Sequence, residues 1–377
     1  MSTATAHFPA APVSTRPMRF AETAKPFASL PLRLAESGLL PDALVRAGIR
    51  RLLAKRLVEE QAGSLEACNA RKAAFVASMR SAPLALETDA ANAQHYELPA
   101  AFMQAVLGPR LKYSCGLWPE AGTTFAQSEE AALSLVAGRA QLSNGQRILE
   151  LGCGWGSLTL WMAEHYPASR ITAVSNSALQ RAFIEARAKE RGLSNVEVIT
   201  CDINRFEFAE NAVDRVVSIE MFEHLRNWAE AFRRVSHWLK PGGKFFMHVF
   251  THKTAAYPFQ VEGEDDWMGR YFFTGGMIPS DDLPLHFQDH LRIENRWAVN
   301  GCHYEKTANA WLENQDRRKA ELMPLFDATY GSKLAAVWFQ RWRMFFMACA
   351  ELWGYQGGDT WGVGHYLLAK PSPCPAP

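Results

Sequence analysis

Little in this 377-residue chain is extreme, and each shortage excludes something. Its seven cysteines, Cys68, Cys115, Cys153, Cys201, Cys302, Cys349 and Cys374, are scattered, with no CxxC pair and no zinc-like spacing with histidine. Free thiols in a reducing compartment are the fitting reading. No apolar run approaches the length that crosses a bilayer, and the first residues lack the continuous apolar core of a secretory signal. Forty Lys and Arg stand against thirty-nine Asp and Glu. The basic excess of a nucleic-acid binder is therefore missing, which disfavours a nucleic-acid partner. Internal repeats and low-complexity arrays are absent as well. What remains, 48% hydrophobic and 21% charged residues, is the balance of a globular chain with a large core. A soluble cytoplasmic protein is the expectation.

Two local biases qualify it. Residues 1 to 30 are rich in Ala, Ser, Thr and Pro, with Arg16, Arg19 and Lys25 against only Glu22. That composition suits a disordered leader, and an organelle transit peptide shares it. The stretch from about Pro41 to Glu60 reads as an amphipathic helix carrying Arg50, Arg51, Lys55 and Arg56. Its first reading is a solvated face, its second a peripheral contact with acidic lipid headgroups.

Residues 31 to about 112 show helical periodicity broken near Gly38, Pro41, Gly63 and Pro83, and read as a helical cap that extends to residue 126. From residue 127 the pattern alternates. Strands are predicted at 147–151, 170–175, 196–200, 215–219, 244–249, 291–299 and 365–369. Helices are predicted at 157–166, 177–191, 227–239, 306–322 and 334–353. Alternation of this kind predicts an α/β fold, a mostly parallel sheet with helices on both faces. Residues 251–290, loop-rich and aromatic, and the segment 303–355 read as insertions covering a substrate.

Glu150-Leu151-Gly152-Cys153-Gly154-Trp155-Gly156 follows the first strand and opens a helix. Gly152, Gly154 and Gly156 allow a tight turn that approaches a ligand, and the helix start offers free amide donors. Dinucleotide enzymes share that physics, so the glycines alone do not choose a ligand. The GxGxG spacing with Glu150 two positions ahead resembles motif I of class I methyltransferases, which implies a seven-stranded Rossmann-like sheet and S-adenosylmethionine. In that family the acidic and apolar residues after the third strand, here Asp202 and Ile203, meet the adenine. The second strand ends in Ser175-Asn176 instead of the usual ribose-gripping acid, so Asn176 and Gln180, four apart on a helix face, are expected to hold the ribose.

Tyr113-Ser114-Cys115-Gly116 and Met221-Phe222-Glu223-His224 resemble the cyclopropane fatty acid synthase family, with likeness from about Gln94 to Lys370, and Tyr113 and Ser114 join the cofactor candidates. The runs ELGCGWGSLT, VSNS, SNVEVI, IEMFEH, HKT and EDDW are most similar to its plant alkaloid branch, the coclaurine N-methyltransferase type. Departures from the lipid enzymes point the same way. Cys115 remains, but Ala298 stands where the synthases are expected to carry a bicarbonate-ligand histidine, and Met344 and Phe345 stand where they carry tyrosines. The resemblance implies amine N-methylation of a small hydrophobic or aromatic acceptor, with Glu220 and His224 assisting deprotonation.

A helical turn beginning at Glu220 would set Glu220, Glu223 and His224 at i, i+3 and i+4 on one face, a grouping able to hold an ammonium and take its proton. Glu223 is the less certain member, able also to orient His224 or bind backbone amides. A metal bound by these residues with His248 or His252 is the disfavoured alternative, since methyl transfer from a sulfonium needs none. Trp267, Tyr271 and Trp297 are the candidates for the acceptor pocket, and Cys349 is read as packing. Methylation or cyclopropanation of unsaturated acyl chains and cofactor binding without catalysis are the rival functions. Oligomeric state is left open, a homodimer included.

Overall fold

A computed structural model describes residues 29–86, 99–259, 263 and 266–371. The leader expected at residues 1 to 30 therefore lies outside the described residues up to residue 28; a helix begins at Leu30. The segment from there to Val106 supplies α1 (Leu30–Glu36), α2 (Asp42–Glu60), α3 (Leu65–Ser81) and α4 (Ala100–Val106). Of the basic residues on α2, Arg50 pairs with Glu351 at 2.7 Å, and Arg56 with Glu59 and Glu60 at 3.5 and 3.6 Å. Much of that cluster is thus spent within the protein.

Helix α5 (Phe125–Arg139) starts in a capping box, Thr124 and Gln127 each satisfying the other's backbone N–H. It leads into β1 (Arg147–Leu151), α6 (Ser157–His165), β2 (Arg170–Ser175), α7 (Ala178–Glu190), β3 (Val196–Thr200) and β4 (Val213–Ile219). Helix α8 (Trp228–Trp238) buries Trp228, Phe232, Val235 and Trp238, the spacing of one helical stripe. Strand β5 (Leu239–His252) follows. After it come the short pair β6 (Tyr257–Pro258) and β7 (Met277–Ile278) with α9 (Trp267–Tyr271) between them, then β8 (Arg292–Val299), α10 (Cys302–Arg317), α11 (Lys319–Tyr330), α12 (Ala335–Trp353) and β9 (Trp361–Ala369).

Seven strands form one sheet in the order β3-β2-β1-β4-β5-β9-β8. The first five are parallel, and β9 runs antiparallel to both β5 and β8. The order reverses at β1, so the crevice for a ligand opens beyond the carboxyl ends of β1 and β4. One core packs Phe222, Trp228, Phe232, Phe245 and Phe287 on one side of the sheet, and another packs Leu133, Val136, Trp161 and Phe246. A third, built largely from α4, α10 and α12, gathers Phe102, Trp311, Trp342 and Phe346 over the crevice. The single predicted helix at 306–322 is two helices, divided at Arg318.

Candidate active site

A cavity of about 240 Å³ opens at the carboxyl ends of β1 to β4. On one side it is walled by the turn after β1, where Gly152, Gly154 and Gly156 have φ of +77°, +51° and +80°. A side chain at two of these would collide, since a Cβ on Gly152 would lie 2.7 Å from Met221 and one on Gly156 2.7 Å from Ile184. At Gly154 the corresponding direction is open. Glu150 is buried at the same wall, its Oε2 accepting the Thr159 hydroxyl at 2.6 Å. Burial pushes its carboxyl up to about 8.

Asn176, Gln180, Asp202 and Ile203 line the same half. The expected helical register of Asn176 with Gln180 is not what joins them, because Ser177 caps α7 and leaves Asn176 in the loop ahead of it. Gln180 is held from β2, its Oε1 accepting the Ser175 hydroxyl at 2.7 Å. Asp202 Oδ1 accepts the Asn204 N–H at 2.8 Å, which shapes the turn after β3. Tyr113 and Ser114 reach this wall from the loop after α4. The Ser114 oxygen accepts from the fully buried Lys112 ammonium at 2.5 Å, and that ammonium also donates to the Cys115 carbonyl at 2.7 Å.

The residues fit a methyl donor of the S-adenosylmethionine kind on two counts. The glycine turn brings backbone to the cavity at Gly152 and Gly154, and two buried polar atoms on the wall, Trp155 Nε1 and Ser157 Oγ, have no hydrogen-bond partner among the described residues. Such atoms are satisfied by a polar ligand or by water.

The far half of the cavity is apolar and aromatic, with Phe250, Phe259, Phe273, Phe345 and Trp353 around it. Glu220 lines the same cavity. It directly follows β4 with φ of +50°, a strained setting for a glutamate, and its own N–H is tied to the His248 carbonyl at 2.9 Å. Its carboxylate accepts three hydrogen bonds: Oε1 from the Cys115 N–H at 3.0 Å and from His248 Nε2 at 3.1 Å, Oε2 from the Tyr304 hydroxyl at 2.6 Å. A carboxylate has about four acceptor positions, so one is left for the cavity. Burial raises the proton affinity of Glu220, and the Lys112 charge with the Tyr304 and Cys115 donors holds it down.

The three-residue grouping expected on one helix face does not form. The turn is a short 3-10 helix, Phe222–His224, that begins after Glu220. His224 lines the cavity with its ring 4.6 Å from that of Phe273. Glu223 points away into the sheet, where its Oε1 accepts the Phe250 N–H at 2.7 Å. The imidazole that meets Glu220 is that of His248, which sequence reading considered only as a metal ligand. Tyr304 and Lys112 went unnoticed; no local motif marks either of them.

The three pocket candidates lie outside the cavity wall. Trp267 donates its Nε1–H to Glu36 at 2.9 Å and packs against Phe272. Tyr271 lies under the Arg341 guanidinium, 4.1 Å from ring to carbon, and Trp297 under Arg139 at 5.0 Å. Their neighbours Met268 and Phe273 take the wall instead. Cys349 reaches the wall too, beyond a packing role. Ala298 is exposed on β8, so its side chain says nothing about the ligands of this cavity. Among the described residues no group of His, Cys, Asp and Glu is arranged to hold a metal ion, and no helix is long and apolar enough to cross a membrane.

A seven-stranded sheet of this order, with a glycine turn at the reversal point, an acid near the end of β1 and another after β3, defines a class, and the chain is an S-adenosylmethionine-dependent methyltransferase. It belongs to the mycolic acid cyclopropane synthetase family, whose model matches residues 86–359. Among curated proteins it is 35% identical to (S)-coclaurine N-methyltransferase of Thalictrum flavum subsp. glaucum, over 90% of this chain and 95% of that protein. Pavine N-methyltransferase of the same plant is 33% identical over 90% and 96%. A crystal structure of coclaurine N-methyltransferase bound to N-methylheliamine and SAH is similar with a TM-score of 0.87 at 35% identity, covering 90% of this chain and 98% of that one.

Proposed function

We propose that this protein transfers a methyl group to the amine nitrogen of a small hydrophobic or aromatic acceptor. The reading rests on Glu220, a carboxylate whose side chain is only 9% exposed and which keeps one acceptor position on a cavity that aromatic side chains also line. The relatives named as N-methyltransferases support amine nitrogen as the target. A small-molecule acceptor working in the cytoplasm belongs to the same reading.

Gly152, Gly154, Gly156, Tyr113, Ser114 and Glu150 would hold the methionine end of S-adenosylmethionine, Asn176 and Gln180 its ribose, and Asp202 and Ile203 its adenine. When bound, that cosubstrate supplies an electrophilic methyl group on a sulfonium. A protonated amine has no lone pair to offer, so the protein's task is to take its proton and aim the nitrogen. Glu220 attracts the ammonium and removes the proton through its remaining acceptor position. Burial raises its proton affinity, which suits a base, while the Lys112 charge and the Tyr304 and Cys115 donors oppose that rise. His224 assists from the same wall. Phe250, Phe273, Phe345 and Trp353 line the cavity and supply the aromatic surface that suits an apolar or cationic acceptor, and positioning supplies much of the rate.

The family description favours a second reading, methylation or cyclopropanation of unsaturated acyl chains. Incubation with methyl-labelled S-adenosylmethionine and two pools, small secondary and tertiary amines and unsaturated phospholipid vesicles, separates them by mass spectrometry. Label on nitrogen is expected; label in acyl chains would replace the amine reading.

A further inference from the structure

Two of the donors to Glu220, the Cys115 amide and Tyr304, lie in or directly beside residues that line the cavity. The third leads away from it. His248 on β5 faces His365 on β9 in the antiparallel register. Nδ1 of His248 lies 2.9 Å from Nε2 of His365, and Nδ1 of His365 lies 2.8 Å from an Nη of Arg139, in the last turn of α5. Both imidazoles are buried, each 3% exposed. Arg139 is half-buried, rests on the Trp297 ring and borders an open surface pocket with Leu117, Leu135 and Gln141. Four side chains thus run unbroken from the catalytic carboxylate to the surface.

The arginine sets the direction of every bond in that line. A guanidinium has only donors and keeps its charge. His365 Nδ1 must therefore accept, which leaves the proton on its Nε2 to be donated to His248 Nδ1. His248 in turn carries its proton on Nε2 and donates it to Glu220. We propose that Arg139 is a positioning residue for methyl transfer, locking His365 and His248 as paired Nε2–H tautomers so that Glu220 always meets an N–H donor and never a basic imidazole. This rests on the reading of Glu220 as the base.

The lock has a chemical consequence. A proton captured by Glu220 cannot pass outward along the line, because the last step would ask a guanidinium to accept it. The proton leaves on the cavity side, with product or to water. Nor can the pair charge easily. Burial comes first in holding both imidazoles well below the usual histidine range, and the positive charges of Arg139 and Lys112 add to it. The other titratable groups facing Glu220, Cys115, Glu223, Tyr304 and Cys349, come from separate elements and none touches the His248–His365 bond.

The test is nitrogen NMR on protein with 15N-labelled histidine, with signals assigned through His365→Gln, combined with the pH dependence of turnover on a methylated amine. In the wild type both rings should show the Nε2–H tautomer and take up no proton between about pH 5.5 and 9. Arg139→Met should let at least one ring titrate in that window and move the acid limb of kcat/KM upward by about half a pH unit or more. Arg139→Lys, which keeps a charged donor, should largely restore both, and the KM for the methyl donor should hold throughout. An Nδ1–H tautomer on either wild-type ring overturns the proposal, as does an Arg139→Met profile unchanged in both readouts. If Arg139→Met does not fold, the wild-type tautomers decide alone. Full turnover by Glu220→Gln with the expected tautomers would remove the base reading and leave the lock standing.

Discussion

Tyr304 gives its hydroxyl proton to Oε2 of Glu220 at 2.6 Å, across 84 residues of sequence. Its ring lies stacked on Trp353, centroids 4.9 Å apart and planes 4° from parallel, so the hydroxyl has little freedom to turn away. The bond works against burial, which raises the carboxyl. Tyr304→Phe removes that opposition. The proton affinity of Glu220 rises further, so the acid limb of the kcat/KM profile moves to higher pH, by up to about one unit for one charge-directed hydrogen bond. Turnover against pH, with the stack on Trp353 kept by phenylalanine, checks it; an unmoved limb would detach Tyr304 from the base.

Removing the carboxylate itself should cost far more. Glu220→Ala is expected to lower kcat by about 10²–10⁴ while calorimetric binding of S-adenosylmethionine stays within a few-fold, because general-base assistance is of that size. His224→Ala should lie at the lower end of that range. Equal turnover in both variants would withdraw the deprotonation roles.

At the cofactor turn the expected failure is structural. Gly156→Ala places a methyl 2.7 Å from Ile184 on a residue with φ of +80°, and should destabilise the fold by about 1–3 kcal/mol. Binding of S-adenosylmethionine should weaken with it. Gly154→Ala meets no neighbour but keeps the φ of +51°, so it should lose less stability and still lose affinity. Denaturant melts and calorimetry on the two proteins separate crowding from loss of the ligand's space.

Glu150 makes cofactor-free stability depend on pH. Its carboxyl is raised to about 8 by burial, above its unfolded value. The stability tied to its proton is therefore fully present below the unfolded value, about 4.3, and is lost as pH rises through about 8. Glu150→Gln should remove that loss, raising the melting temperature above pH 8 by roughly 2 °C or more relative to the wild type. A melt of both proteins from pH 6 to 9 shows whether their curves diverge.

The cofactor half was legible because it is local. Strands β1, β2 and β3 fall at the predicted residues, since short β-rich runs bounded by Gly, Asn and Asp admit few other readings. The cofactor candidates from Glu150 to Ile203, Gly156 excepted, line one cavity for the same reason: in a parallel α/β sheet the loops after successive strands open on one edge. The aromatic candidates failed because residue type says nothing about which face of a short helix or edge strand is covered. One position beyond Trp267, and two beyond Tyr271, Met268 and Phe273 face the cavity instead.

By itself, then, the sequence determined the strands and the glycine turn, read from periodicity and spacing within short windows, while the methyl donor and the glutamate that follows β4 came from resemblance to known methyltransferases. Only the tertiary structure decided what surrounds that glutamate. Cys115, His248 and Tyr304 converge on it from three distant segments, and Arg139 meets His365 across 226 residues. Side-chain contacts at that range depend on how strands pair and helices pack over them, and no local pattern carries that information. The left-handed backbone at Glu220 belongs to the same kind, for it turned an expected helical face of three residues into a carboxylate and an imidazole on the cavity and a second carboxylate buried behind them.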